Sequence, residues 1–179
     1  MSAAEKDRQV LALVGLRCSG KTTVGRALAE RSGAAFVDLD EEVATRAGLA
    51  SAGEVIEALG LERFREMEAA ALAEVLDAAA GPTVLATGGG AVERASSRER
   101  LQRGTFVAWL RAPLATLRRR MSGDEGSPRP RITPEHEDEF ISLERRRAPM
   151  YEAIADVVLD VADLVPGDLA VALDGIWRR

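Results

Sequence analysis

Residues 15–22 read Gly-Leu-Arg-Cys-Ser-Gly-Lys-Thr and fit G-x-x-x-x-G-K-[ST], a loop that wraps the phosphates of a nucleoside triphosphate. The chemistry follows from residue type. Glycines let successive backbone N–H groups turn inward as an anion-binding hollow, and a helix starting near Lys21 adds its positive end. Cys18, Ser19, Gly20, Lys21, Thr22 and Thr23 would then surround the phosphates of ATP. Lys21 can reach the terminal phosphates, and the Thr22 hydroxyl can ligate Mg²⁺. The bland alternative is a glycine-rich turn that happens to end in Lys-Thr. Lys6 and Lys21 are the only lysines among 24 basic residues, so drift is a poor explanation for a lysine at this position.

Other residues carry weaker signals. Asp38 and Asp40 end an apolar run, and in a strand-end x-D-x-D arrangement period-two alternation puts both carboxylates on one side. One could hold a Mg²⁺ water while the other meets a substrate hydroxyl; alternatively, Asp40 simply caps the helix that follows it and Asp38 is solvated. Gly88, Gly89 and Gly90 follow another apolar run, where they either make a turn or let backbone approach a ligand. Arg65 and Glu68, three apart on a helix, are either a surface ion pair or an arginine oriented to fork a substrate carboxylate. Arg129 lies in an irregular stretch, 122–134, with three prolines, which reads as a mobile lid (about 122–137) bringing arginine to transition-state charge. Pro149 is expected to kink its helix and turn Arg147 toward the site. The sole histidine, His136, sits among acidic neighbours and reads as solvated.

These residues need a frame, and the chain supplies an alternating one. Strands are predicted at Val10–Val14, 35–37, Thr83–Ala86, 105–110 and Val157–Asp160. Helices are predicted after residue 20 and at 41–46, 53–59, 61–79, 95–103, 113–121, from the lid to about 151, and through Leu169 to Trp177. Strands separated by helices imply an α/β fold: a five-stranded parallel sheet with helices on both faces, forming one domain over 1–179. A net charge of −5 gives no basic footprint for nucleic acid. One cysteine suits a reducing cytoplasm, and no apolar run approaches the about 18–20 residues needed to span a membrane. A cytoplasmic monomer is the expectation.

Taken in order, the phosphate loop, Asp38-x-Asp40, Phe64-Arg65-x-x-Glu68, Gly88-Gly-Gly90, Arg129-Pro130 and Arg147-x-Pro-x-Tyr151 resemble shikimate kinase across almost the whole chain. The resemblance implies a P-loop, nucleoside-monophosphate-kinase-like fold and transfer of the ATP γ-phosphoryl group to the 3-hydroxyl of shikimate. It also implies roles. Lys21 would hold the transferring phosphate, Thr22 and Asp38 the Mg²⁺, and Asp40 the attacking hydroxyl. Arg65 and Arg147 would clamp the shikimate carboxylate beside Gly88, Gly89 and Gly90. Arg129 would close onto ATP, and Arg120 would lie along the adenine. The chain departs from the family pattern at Gly60-Leu61, Arg131-Ile132 and Cys18, and it lacks a basic residue after the last strand. A kinase for another hydroxy acid such as gluconate fits the same two arginines, so the acceptor rests on the resemblance; a silent module sensing shikimate or nucleotide would not need Lys21, Thr22, Asp38 and Asp40.

Overall fold

The structure is a computed structural model describing residues 9–122, 134–162 and 165–178, without the side chains of 134–139. Its centre is β1, Val10–Val14, whose five residues are all buried. A strand apolar on both faces needs cover on both sides, and the fold provides it. The sheet is parallel, with β2 (Ala35–Asp38), β3 (Thr83–Ala86), β4 (Phe106–Arg111) and β5 (Val157–Asp160) in the order β2-β3-β1-β4-β5. From β1 the chain first runs outward to β2, then returns across the sheet through β3, β4 and β5. Right-handed crossovers therefore put α1 (Lys21–Ser32) on one face and the connecting helices on the other. The closing helix α8 (Pro166–Trp177) packs against α1, while α4 (Leu61–Ala78), α5 (Ala95–Gly104) and α7 (Pro134–Ile154) pack in sequence on the opposite face.

Register decides where the chemistry sits. Ala86 pairs with Leu13 on one side and with Asp38 on the other, so the carboxyl ends of β1, β2 and β3 finish level. The phosphate loop, Asp38 and the glycine turn leave the sheet at that edge. The chain's change of direction about β1 opens the crevice in which such sheets bind ligands.

The predicted strands and helices are present, with displaced ends. The structure extends β2 to Asp38 and starts α2 (Leu39–Ala47) at once, because Asp38 Oδ1 accepts from the Asp40 amide at 3.0 Å and caps the helix. Asp40 therefore lies in the first helical turn, not on a strand, and strand alternation is not what brings the two carboxylates together. A short 3₁₀ turn, Ala91–Glu93, joins the glycines to α5. Between α6 (Leu114–Ser122) and α7, residues 123–133 lie outside the described residues, and with them Arg129 and all of the predicted lid except its two ends, which are the last residue of α6 and the first turn of α7. α7 continues through Pro149, so the chain stays helical at the position where a kink is expected.

Candidate active site

The glycines of the phosphate loop lie where their type is required. Gly20 takes φ 96°, left-handed backbone open to glycine, immediately before α1 begins at Lys21. Cys18, at φ 63°, is the one non-glycine residue with positive φ among the described residues, so backbone strain is concentrated in this loop. Gly15 cannot carry a side chain: a Cβ there would stand 2.6 Å from the Leu110 carbonyl oxygen. Lys21 Nζ donates to the Gly15 and Leu16 carbonyls, both at 2.9 Å, and so lies along the loop. Buried Ser19 Oγ has no hydrogen-bond partner in the protein. An unsatisfied buried hydroxyl beside a phosphate loop fits an anion that arrives with its own acceptors.

The loop forms one wall of a cavity of about 610 Å³ that Asp38, Asp40, Thr87, Gly89, Arg120, Pro166 and Leu169 complete. Thr22 Oγ1 donates to Asp38 Oδ2 at 2.7 Å. A hydroxyl and a carboxylate beside a phosphate loop form a hard-oxygen donor pair suited to Mg²⁺, which takes few protein ligands and completes its shell with phosphate and water. Arg120 reaches across from α6, donating to the Val161 carbonyl at 2.8 Å and to the Cys18 and Ser19 carbonyls at 3.4 and 3.3 Å. Its guanidinium faces the phosphate loop while Pro166 and Leu169 give the cavity an apolar end on α8.

Behind Gly89 lies a buried ionic network. Arg65 Nη1 donates to Glu68 Oε2 at 2.7 Å, and with Glu68 only 3% exposed this is no surface pair. Burial pushes the Glu68 carboxyl up to about 7; Arg65 pulls against that rise and Asp40 adds to it. Arg147, 7% exposed, donates through Nε to Glu93 at 2.7 Å. Burial alone would raise the Glu93 carboxyl, but the hydrogen bond and charge of Arg147, with Arg65 and Arg146, hold it below the ordinary carboxylate range. Tyr151, one turn after Arg147 on α7, donates its hydroxyl to the Gly89 carbonyl at 2.5 Å. Burial raises that phenol further above its usual range.

The three glycines are explained by their neighbours. A Cβ at Gly88 would overlap Glu68 Oε1 and come within 2.5 Å of Asp40 Oδ1, and one at Gly90 would overlap the Arg65 guanidinium. Only Gly89 of the three lines the cavity, with Arg147 Nη1 3.6 Å from where its Cβ would be. Gly88 and Gly90 thus make room for charged side chains that flank the cavity. Arg65 and Arg147 lie behind this turn, Arg147 against Gly89 and Arg65 against Gly90, and do not line the cavity themselves. Glu93, Tyr151, Thr87, Pro166 and Leu169 escaped sequence reading in any site role. Tyr151 alone left a signal, as the end of the Arg147-x-Pro-x-Tyr motif.

A phosphate loop after the central strand, a carboxylate facing it and arginines at the rim define a small P-loop kinase of the doubly wound α/β class. The comparisons narrow this. A family model described as shikimate kinase matches residues 17–173. A shikimate kinase from Symbiobacterium thermophilum is 45% identical over 82% of this chain and 83% of its own. One from Chromobacterium violaceum is 40% identical over 89% of this chain and 85% of its own. A solved shikimate kinase from Acinetobacter baumannii, in complex with shikimate, superposes with a TM-score of 0.84 at 32% identity, over 93% of this chain and 91% of its own. The chain belongs to the shikimate kinase family and is an enzyme of that family.

Proposed function

We propose that ATP lies along the cavity from Arg120 to Lys21, that shikimate lies beyond Asp40, and that the γ-phosphoryl group passes from one to the other. The carrying observation is that a phosphate loop and Asp40 share one cavity, with Arg147 buried and Arg65 half-buried behind the glycine turn that borders it. The reaction is ATP-dependent phosphorylation of shikimate, at its 3-hydroxyl, giving shikimate 3-phosphate. The hydroxyl oxygen bonds to the γ-phosphorus, the bond from that phosphorus to the β–γ bridging oxygen breaks, and ADP leaves. Asp40 orients the hydroxyl and accepts its proton.

The loop from Cys18 to Thr23 cradles the phosphates, and Lys21 leaves the Gly15 and Leu16 carbonyls to meet charge on the transferring group. Thr22 and Asp38 would hold Mg²⁺, which when bound neutralises phosphate charge. Arg65 and Arg147 take the acid's carboxylate as planar forks, with Gly89 against the ring. Arg120 lines the adenine side. Arg129, outside the described residues, is assigned by the family motif to close onto ATP. The working form we propose is a monomer, and its compartment is the cytoplasm, where ATP is made and spent. No helix among the described residues is long and apolar enough to cross a membrane.

A coupled assay of ADP release across a panel of hydroxy acids tests the acceptor. Shikimate should give kcat/KM at least about 10³-fold above gluconate, since a site built to pair particular hydroxyls rejects acids that leave its polar groups unmatched. Comparable rates with both acids would remove the assignment of shikimate.

A further inference from the structure

Glu93 stands on the 3₁₀ turn directly after the three glycines, and the fold surrounds its carboxylate with three guanidiniums. Oε1 accepts from Arg147 Nε at 2.7 Å and from Arg146 Nη2 at 2.6 Å, while Oε2 lies 3.8 Å from Arg65 Nε. The Arg65 and Glu93 side chains are 12% and 23% exposed, so this is a sheltered junction of α4, the glycine turn and α7.

We infer that Glu93 is the positioning residue of the acid clamp, holding Arg65 and Arg147 by their Nε edges so that their outer nitrogens face the substrate's carboxylate. The inference rests on Arg65 and Arg147 being that clamp. Two guanidiniums aimed at one carboxylate repel each other until the acid arrives, and a fixed carboxylate behind them offsets the repulsion. Geometry supports the division of edges. A guanidinium is a planar fork with five N–H donors, so a partner at Nε leaves an outer face for a second carboxylate. Arg147 gives its Nε to Glu93 and turns Nη1 toward Gly89, the glycine that lines the cavity. Arg65 gives Nη1 to Glu68, faces Glu93 at 3.8 Å with a buried Nε that makes no hydrogen bond, and lays Nη2 over Gly90. Arg147 is thereby fixed by its hydrogen bond to Glu93, and Arg65 by its hydrogen bond to Glu68 and the charge of Glu93, before substrate binds, which spares the acid the cost of ordering them. Glu93 also carries the opposite possibility, an internal carboxylate that competes with the acid for the same forks. The edges it uses speak against this, and the two readings predict opposite signs.

The test is steady-state kinetics on the full chain, varying shikimate and ATP separately, for wild type, Glu93→Gln and Glu93→Asp. Glu93→Gln should raise the KM for shikimate about tenfold or more, with kcat within about threefold and the KM for ATP unchanged. Glu93→Asp, which keeps the charge on a shorter arm, should fall between Glu93→Gln and wild type. A merely structural role would lower active enzyme without splitting KM from kcat. If Glu93→Gln does not fold, Glu93→Asp decides alone: a raised shikimate KM with kcat and ATP KM held supports positioning. An unchanged or lowered shikimate KM in the variants that fold overturns the inference, and a lowered one makes Glu93 a competitor. A normal shikimate KM in Arg147→Lys would instead fault the clamp assignment, and the inference would go with it.

Discussion

Lys21 and Asp40 carry the chemistry at the scale of single residues, and each has a distinct signature. Lys21→Ala removes a charge matched to the transferring phosphate, so kcat should fall by about 10² or more while circular dichroism reports an intact fold. Asp40→Asn keeps the side chain's shape but loses the basic oxygen. Turnover should drop about 10²–10⁴-fold with ATP binding, measured by calorimetry, hardly altered. Asp38, not Asp40, caps α2, so a purely structural explanation of that loss is already weakened. Glu68 supplies a pH dependence. The unfolded chain holds its carboxyl near the ordinary 4.5 and the folded chain near 7, so between these values the native state binds the extra proton. The stability this group contributes is full below about 4.5 and fades as pH rises through 7. Urea unfolding should therefore give a loss on the order of 1–3 kcal/mol from this group between about pH 4.5 and about pH 8, and Glu68→Gln should flatten that part of the profile. An unchanged slope in the variant would mean that Arg65 keeps Glu68 ionised throughout.

At the scale of elements, the glycine turn shows why the sequence was only partly legible. Three small residues after a strand were visible, but the charged side chains they accommodate come from α2 and α4, far away in the chain. Gly90→Ala would push a methyl group into the Arg65 guanidinium, so the KM for shikimate should rise about tenfold or more while the KM for ATP stays put. Parallel changes in both constants would mean that the turn positions the nucleotide as well. Periodicity located β1 and β3 closely because buried strands leave continuous apolar runs, and it placed the half-exposed edge strand β5 by its β-branched Val157-Val158 pair. It missed the switch at Asp38, where a cap and not hydrophobicity starts the helix. Glu93 left no readable signal: one glutamate after a glycine turn looks like surface until α4 and α7 bring arginines to it.

The whole molecule is a level sheet edge with a phosphate loop at its centre and an acid clamp at its rim, and ligands should stabilise it as a unit. ATP at 100 times its Kd contributes about 2.7 kcal/mol, which for a domain of this size is roughly a 5–10 °C rise in Tm. Asp40→Asn should keep that rise and Lys21→Ala should lose most of it, as read by thermal shift. The central claim, that the phosphate loop and Asp40 together move phosphate onto shikimate, is met most directly by ³¹P NMR of the wild-type chain with ATP, Mg²⁺ and shikimate. A phosphomonoester resonance should grow in step with ADP, be absent without shikimate, and almost vanish with Lys21→Ala. Shikimate that binds but acquires no phosphate, or ATP that yields only free phosphate, would contradict the account.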